Sequence, residues 1–195
     1  MKKRTLGLGL AVVTVALMSA SASATVMIEY ALEELVRDSD SIVHATVVRS
    51  DVRMAIGDGS MAPETLTTFR VHEWIAGAGG EEVQIRELGG VWQGGGLRYD
   101  GTPTYAPGEE VILFLERRPE APYDLRTYGM VQGKFIVRHG LGGVPSTVQR
   151  DLSSIAFARW ADGQQTVGHA DAEPALQLSN FLDHVRRIRR EAGGL

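Results

Sequence analysis

The chain has 195 residues, 44% hydrophobic and 23% charged, which is the composition of one ordinary folded domain and excludes wholesale disorder. Cys is absent, so a disulfide scaffold, a thiolate metal site, an iron–sulfur cluster and a cysteine nucleophile are all excluded. The formal net charge of −4 becomes −7 once residues 1–24 are set aside, because they carry three of the 20 basic residues and no acid; that opposes a nucleic-acid surface, which needs a basic stripe.

Residues 1–24 read as an export signal. Lys2, Lys3 and Arg4 form a positive start, Leu6 to Met18 is an uncharged apolar stretch, and Ser19 to Ala24 are all small. Ala22-Ser23-Ala24 fits a signal-peptidase site and would leave Thr25 as the first mature residue. The apolar stretch is 13 residues long, short of the ~20 that a spanning helix needs. No Cys is present to carry a lipid, and Lys3-Arg4 is not a twin-arginine pair. The expected location is the periplasm or the medium.

Past the signal, Tyr30 to Arg37 predicts a short helix, with Leu32, Leu35 and Val36 on one stripe, ended by Asp38-Ser39-Asp40. Ile42 to Val52 is rich in β-branched residues and predicts a strand, followed by a loop marked by Gly57-Asp58-Gly59-Ser60 and Pro63. Thr65 to Ile75 predicts a second strand, and Glu82 to Leu88 a third, with Val83, Ile85 and Glu87 on one face. Gly89 to Gly108 is glycine-rich and reads as a long loop or a distorted hairpin. Val111 to Leu115 is unbroken apolar sequence, the pattern of a strand buried on both faces. Leu125 to Met130 and Lys134 to Val137 are two more short strands. Asp151 to Trp160 reads as a helical turn or two. A C-terminal helix carries Leu178, Phe181, Leu182, Val185 and Ile188 on one stripe, capped by Ser179 or Asn180.

The resulting fold class is mainly β: a small OB-like barrel of five or six strands with a short N-terminal helix and a C-terminal helix. Residues 1–24 are the signal, 25–145 the barrel domain and 146–195 a C-terminal helical extension. The same-parity apolar residues Val43, Ala45, Val47, Phe69, Val71, Val83, Ile85, Ile112 and Phe114 are expected to face one interior.

Catalytic signatures are missing. His72-Glu73 begins like a zinc-protease motif, but Ala76 stands where the second His belongs, and the stretch is a strand rather than a helix. Gly94-Gly95-Gly96 lacks the Lys of a phosphate loop, and no G-x-S-x-G occurs. His44, mid-strand, reads as a partly buried, hydrogen-bonded side chain. The pairs Glu81-Glu82 and Glu109-Glu110, beside glycine turns, read as solvated strand ends. No catalytic residue, cofactor or metal is expected. Trp92, Tyr99 and Tyr105 in the glycine-rich stretch are the candidate partner-binding residues, with a plug over one barrel mouth as the competing use. Arg186, Arg187, Arg189 and Arg190 at the end of the last helix suit its dipole, with a weak membrane contact as the sharper use.

The order of short motifs carries a resemblance. Leu32-Glu33-Glu34-Leu35-Val36-Arg37-Asp38-Ser39-Asp40-Ser41-Ile42-Val43 leads to Phe69-Arg70-Val71, Trp74-Ile75-Ala76-Gly77 and Val83-Gln84-Ile85-Arg86. Pro107-Gly108-Glu109-Glu110-Val111-Ile112-Leu113-Phe114-Leu115 and Gly129-Met130-Val131-Gln132-Gly133-Lys134-Phe135 complete the pattern. Over about residues 30–137 the chain resembles a group of secreted bacterial β domains sometimes associated with matrixin-type metalloproteases. More distantly it is similar to the netrin-like OB-fold domain of tissue inhibitors of metalloproteinases. Those inhibitors resemble one another in a mature N-terminal Cys that chelates the protease zinc; Thr25 and the absence of Cys depart from that, and no functional residue carries over. The expected function is an exported non-catalytic module that binds a protein partner, with a secreted protease as one candidate. A structural envelope protein is the alternative, or a hydrolase built around His44, His72 and Glu73.

Overall fold

In the computed structural model, the described residues are 26–57, 60–118, 121–161, 164–170 and 172–193. The expected signal, Asp58-Gly59 of the first loop and Asp171 lie outside them. The elements in chain order are β1 (Val26–Met27), α1 (Leu32–Asp38), β2 (Ser41–Gly57), β3 (Ser60–Ala76), β4 (Glu82–Leu88), β5 (Gly90–Trp92), β6 (Gly95–Leu97), β7 (Glu110–Arg118) and β8 (Ala121–Thr127). A 3-10 turn (Met130–Gly133) leads to β9 (Lys134–Arg138), β10 (Thr147–Gln149), β11 (Ala156–Ala161), β12 (Gln164–His169), β13 (Leu176–Gln177) and α2 (Leu178–Glu191). The protein is mainly β with one helix near each end, as expected. No described helix is long and apolar enough to cross a membrane.

The main sheet runs β13-β10-β9-β7-β2-β3-β4-β8, and β8 also pairs with β7. The pairings β2-β3-β4-β8-β7-β2 therefore form a cycle. Antiparallel ladders join it at β2–β3, β3–β4, β2–β7 and β7–β8, but β4 and β8 meet in parallel through one residue pair, Ile85 with Leu125. The ring is hydrogen-bonded around most of its girth and nearly open at that seam. The free edge of β7 is shared, β9 taking Val111 to Leu113 and β8 taking Leu115 to Arg118.

Two cores lie on the two faces of this sheet. Inside the ring are Val43, Ala45, Val47, Phe69, Val83, Ile85, Tyr105, Val111, Leu113 and Leu115, with Val71 against them. Between the outer face and the helices are Leu35, Val36, Ile42, Ile112, Phe114, Phe135, Val148, Phe181, Val185 and Ile188. Ile112 and Phe114 thus face the helices, correcting the expectation that they share the ring interior. The whole run Val111 to Leu115 is inaccessible, so its residues alternate between two equally apolar environments. Register resolves the parity: Val43 pairs with Leu113 and Ala45 with Val111.

Helix α1 buries Leu35 and Val36, and the Glu34 carboxylate accepts the Ala31 N–H at 2.8 Å. Arg189 of α2 closes the other end of α1, its Nη1 donating to the carbonyls of Val36, Arg37 and Ser39. The N-terminal segment is held by the buried amide of Gln132, which accepts from Tyr30 N and donates to Ile28 O.

Three segments differ from what their sequence predicts. Residues 156–161, expected to be helical, form β11, paired with β12 and, in parallel, with β1; Ile155 and Phe157 alternate into a small third core. Ser153 instead makes a tight turn by donating its N–H and hydroxyl to Asp151. The strand expected to reach Met130 stops at Thr127, because Gly129 and Met130 both adopt positive φ and turn the chain. Helix α2 begins at Leu178 with Gln177 at the cap position, two or three residues before the expected Ser179 or Asn180 cap. Residues 146–195 are joined to the preceding part: β10 extends the main sheet and α2 fills its outer core.

Candidate functional site

The open seam of the ring is closed by side chains. Along β4 the alternation puts Val83, Ile85 and Glu87 inward, so an acid takes the third apolar position. Two residues beyond the last β4–β8 pair, the Glu87 carboxylate takes the place of a ladder bond: Oε1 accepts the Thr127 backbone N–H at 2.9 Å and its hydroxyl at 2.6 Å. The Thr127 hydroxyl has spent its one proton there, so Tyr105, with its Oη 2.5 Å from Thr127 Oγ1, is the donor to it. Burial pushes the Glu87 carboxyl up to about 7, against the opposing pull of the two Thr127 hydrogen bonds. Burial and the adjacent Glu87 charge likewise push the Tyr105 phenol upward.

Above this seam lies the glycine-rich stretch. It forms the hairpin β5–β6, turned at Gln93-Gly94 with positive φ at both residues, the type I′ geometry that suits strand twist. Thr65 Oγ1 donates to Gly89 O at 2.7 Å and pins the hairpin to β3. At Gly90, with φ of +146°, an added Cβ would stand 2.7 Å from Val52 Cγ1, so only glycine lets the hairpin lie this close on β2. Beneath the hairpin is a cleft of about 430 Å³ walled by Leu88, Val91, Leu97, Tyr99, Pro103 and Tyr105. The buried Glu87 and the exposed Arg98 also line it.

The expected partner-binding residues divide. Trp92 and Tyr99 are exposed. Tyr105 is only 9% exposed, packs edge-on against Phe69 and lies in the ring core, so it is a plug and not a surface anchor. Tyr99 and Tyr105 share the cleft, while Trp92 is not among its walls. Three apolar residues that the sequence reading passed over are more exposed than the aromatics: Ile56 at 80%, Met61 at 66% and Val91 at 71%. Ile56 and Met61 are cross-strand neighbours at the tip of β2–β3.

A second polar cluster joins β2, β3 and β7. His44 Nε2 and His139 Nε2 each lie 2.8 Å from a different oxygen of Glu110. The His72 ring stands edge-on to His44 at 5.1 Å, and its Nε2 is 2.7 Å from Thr46 Oγ1. Partial burial acts to raise the Glu110 carboxyl, but the hydrogen bonds from His139 and His44 prevail and hold it below its usual range. Glu110 is therefore the centre of a cluster and not a solvated strand end; Glu109 is likewise tied, to Lys134 at 2.8 Å. The sequence hid this because His44, Glu110 and His139 are far apart in the chain and meet only through the β2–β7 and β7–β9 pairings. Glu73 turns away from the cluster, both its oxygens 2.8 Å from Arg186 of α2. Among the described residues, no group of three His, Asp or Glu side chains is arranged to hold a metal ion.

The C-terminal cations are largely used within the chain. Arg186 binds Glu73, Arg187 contacts His184 and Glu191, and Arg189 caps α1. Comparison with family models, curated proteins and solved structures finds no match in any of the three.

Proposed function

We propose that this chain is an exported, non-catalytic β module that binds a protein partner through the end of the ring carrying the β2–β3 tip and the β5–β6 hairpin. One observation carries the reading: two hairpins pinned side by side present Ile56, Met61, Val91 and Trp92 to solvent, where a monomer gains nothing from them. Trp is among the residues that most often dominate binding energy at protein interfaces, and the exposed aliphatic side chains beside it add apolar contact area. The cyclic strand order, which in chain order of the five strands is 1-2-3-5-4, supports an OB-like barrel, a fold that commonly binds through loops at one end. A secreted protease remains the candidate partner on the resemblance over residues 30–137 alone.

Export rests on the pattern of residues 1–24. N-terminal sequencing of protein recovered outside the cytoplasm should begin at Thr25; a chain that retains Met1 contradicts the reading.

The binding face is tested with Val91→Asp and Trp92→Ala. Val91 is 71% exposed and neither side chain belongs to a buried core, so the melting temperature should move by no more than about 2 °C. Capture of the partner should fall about 30-fold or more, the loss of a central anchor. A lowered melting temperature with intact capture would make the hairpin packing material instead.

A further inference from the structure

We propose that the β4–β8 seam is a proton-controlled gate, shut while Glu87 is protonated and parting locally when Glu87 ionises, so that two clefts sharing Glu87 as a wall become one. The gate does not depend on the partner-binding reading. At the seam the backbone contributes one parallel pair, Ile85 with Leu125, whereas four antiparallel pairs, from Leu115–Thr127 to Arg118–Ala121, hold β8 to β7. A break at the seam therefore gives up one backbone pair and leaves β8 anchored along its other edge. Two side-chain ties reinforce that pair: the bonds from Thr127 to Glu87, and Arg86 Nη2 to Asp124 Oδ2 at 2.9 Å. The Arg86–Asp124 pair is partly exposed and is the weaker tie. Glu87 is buried, so its protonation state decides how firmly the seam holds.

The first cleft is the one of about 430 Å³ beneath the β5–β6 hairpin; the second, of about 450 Å³, is walled by Met27, Tyr30, Tyr128 and Met130. Glu87, Leu88 and Thr102 line both, so these residues separate the two. A charge on Glu87 is disfavoured there because the side chain is buried and its two bonds from Thr127 come from neutral groups. Burial accordingly raises the carboxyl from 4.5 to about 7. Parting the seam lets water reach the carboxylate and removes that penalty. The other groups around Glu87 do not neutralise it. Arg126 of β8 and Glu116 of β7 act on it in opposite directions and are paired with each other at 2.8 Å. Arg86 of β4 is turned to Asp124 and Glu64. The Tyr105 phenol is pushed upward, so it keeps its proton at neutral pH. Arg118 lines the second cleft and lies 3.7 Å from Glu64, and Arg98 lines the first at the exposed surface.

The test is amide hydrogen exchange of the purified protein, followed by NMR at pH 5 and pH 8 and corrected for the intrinsic exchange rate. The Thr127 N–H, which Glu87 accepts, reports the seam directly. Its opening constant should rise on the order of 50-fold between the two pH values, as a carboxyl raised from 4.5 to about 7 in the closed state requires. Amides of the β2–β7 ladder should stay at least about tenfold more protected at both pH values and respond more steeply to urea, because only global unfolding releases them. Glu87→Gln should flatten the Thr127 response to within about threefold, and it carries the same histidines, so the flattening isolates Glu87. A Thr127 opening constant that does not change with pH would overturn the gate. So would Thr127 exchange that matches the β2–β7 ladder in rate and urea dependence, since the seam would then part only with the whole fold. A pH response that survives in Glu87→Gln would also overturn it; if that variant fails to fold, the two comparisons within the unmodified protein still decide.

Discussion

Replacing Phe114 with alanine should cost about 3–5 kcal/mol of unfolding free energy. The side chain is completely inaccessible and sits where the sheet meets the helices. Its ring centroid is 5.5 Å from that of Phe135, which is 4.8 Å from that of Phe181, so one aromatic chain links β7, β9 and α2. Truncation removes the contacts of a whole ring and leaves a cavity that three elements of rigid backbone can only partly collapse. Urea unfolding followed by circular dichroism measures the loss. Combining it with Phe181→Ala should give less than the sum of the two single losses by more than about 0.5 kcal/mol, because the two rings share a neighbour. A loss below about 1 kcal/mol would mean that β7 presents Phe114 elsewhere or that α2 does not dock there.

Glu87→Gln should stabilise the protein at pH 8 and leave it unchanged near pH 4. The Glu87 carboxyl is raised from 4.5 to about 7, so between those values the folded state holds a proton that the unfolded state has released. Stability from this group is fully present below pH 4.5, falls as pH rises through 7, and is lost above it. The whole loss is on the order of 3 kcal/mol. Glutamine keeps an oxygen for the Thr127 N–H and hydroxyl but carries no charge to bury. The difference between the two proteins should therefore open from about zero at pH 4 to roughly 1–3 kcal/mol at pH 8. Taking the difference cancels Glu110 and Asp151, whose lowered carboxyls act in the opposite direction in both proteins. A constant offset across pH would show that Glu87 is solvated and that the seam is open.

The strands were legible where one face is polar. Along β4, Val83-x-Ile85-x-Glu87 announces its inward face, and the acid at the third position was the only sequence sign of the seam. Along β7 both faces are apolar, so the pattern of Val111 to Leu115 revealed burial but not which core each residue enters. Asp151 to Trp160 looks helical because its alternation is carried by only Ile155 and Phe157, and Ala156 between them and Ala158 after them fit a helix equally well. Val91 and Ile56 look like ordinary strand residues; their exposure follows from hairpins that extend past the ring, which no local pattern encodes. The Glu110 cluster depends on strand pairing between residues far apart in the chain, as does the chain of donors from Tyr105 through Thr127 to Glu87.

The proposed partner-binding face lies on the hairpins at one end of the ring, and site-specific photo-crosslinking in the native cell tests that directly. A photoreactive residue is placed at Val91, and separately at Trp160, which is 73% exposed on β11, a strand of a separate three-stranded sheet. The account predicts one discrete protein adduct from position 91 and none from position 160. An adduct from position 160 alone, or none from either, would contradict it.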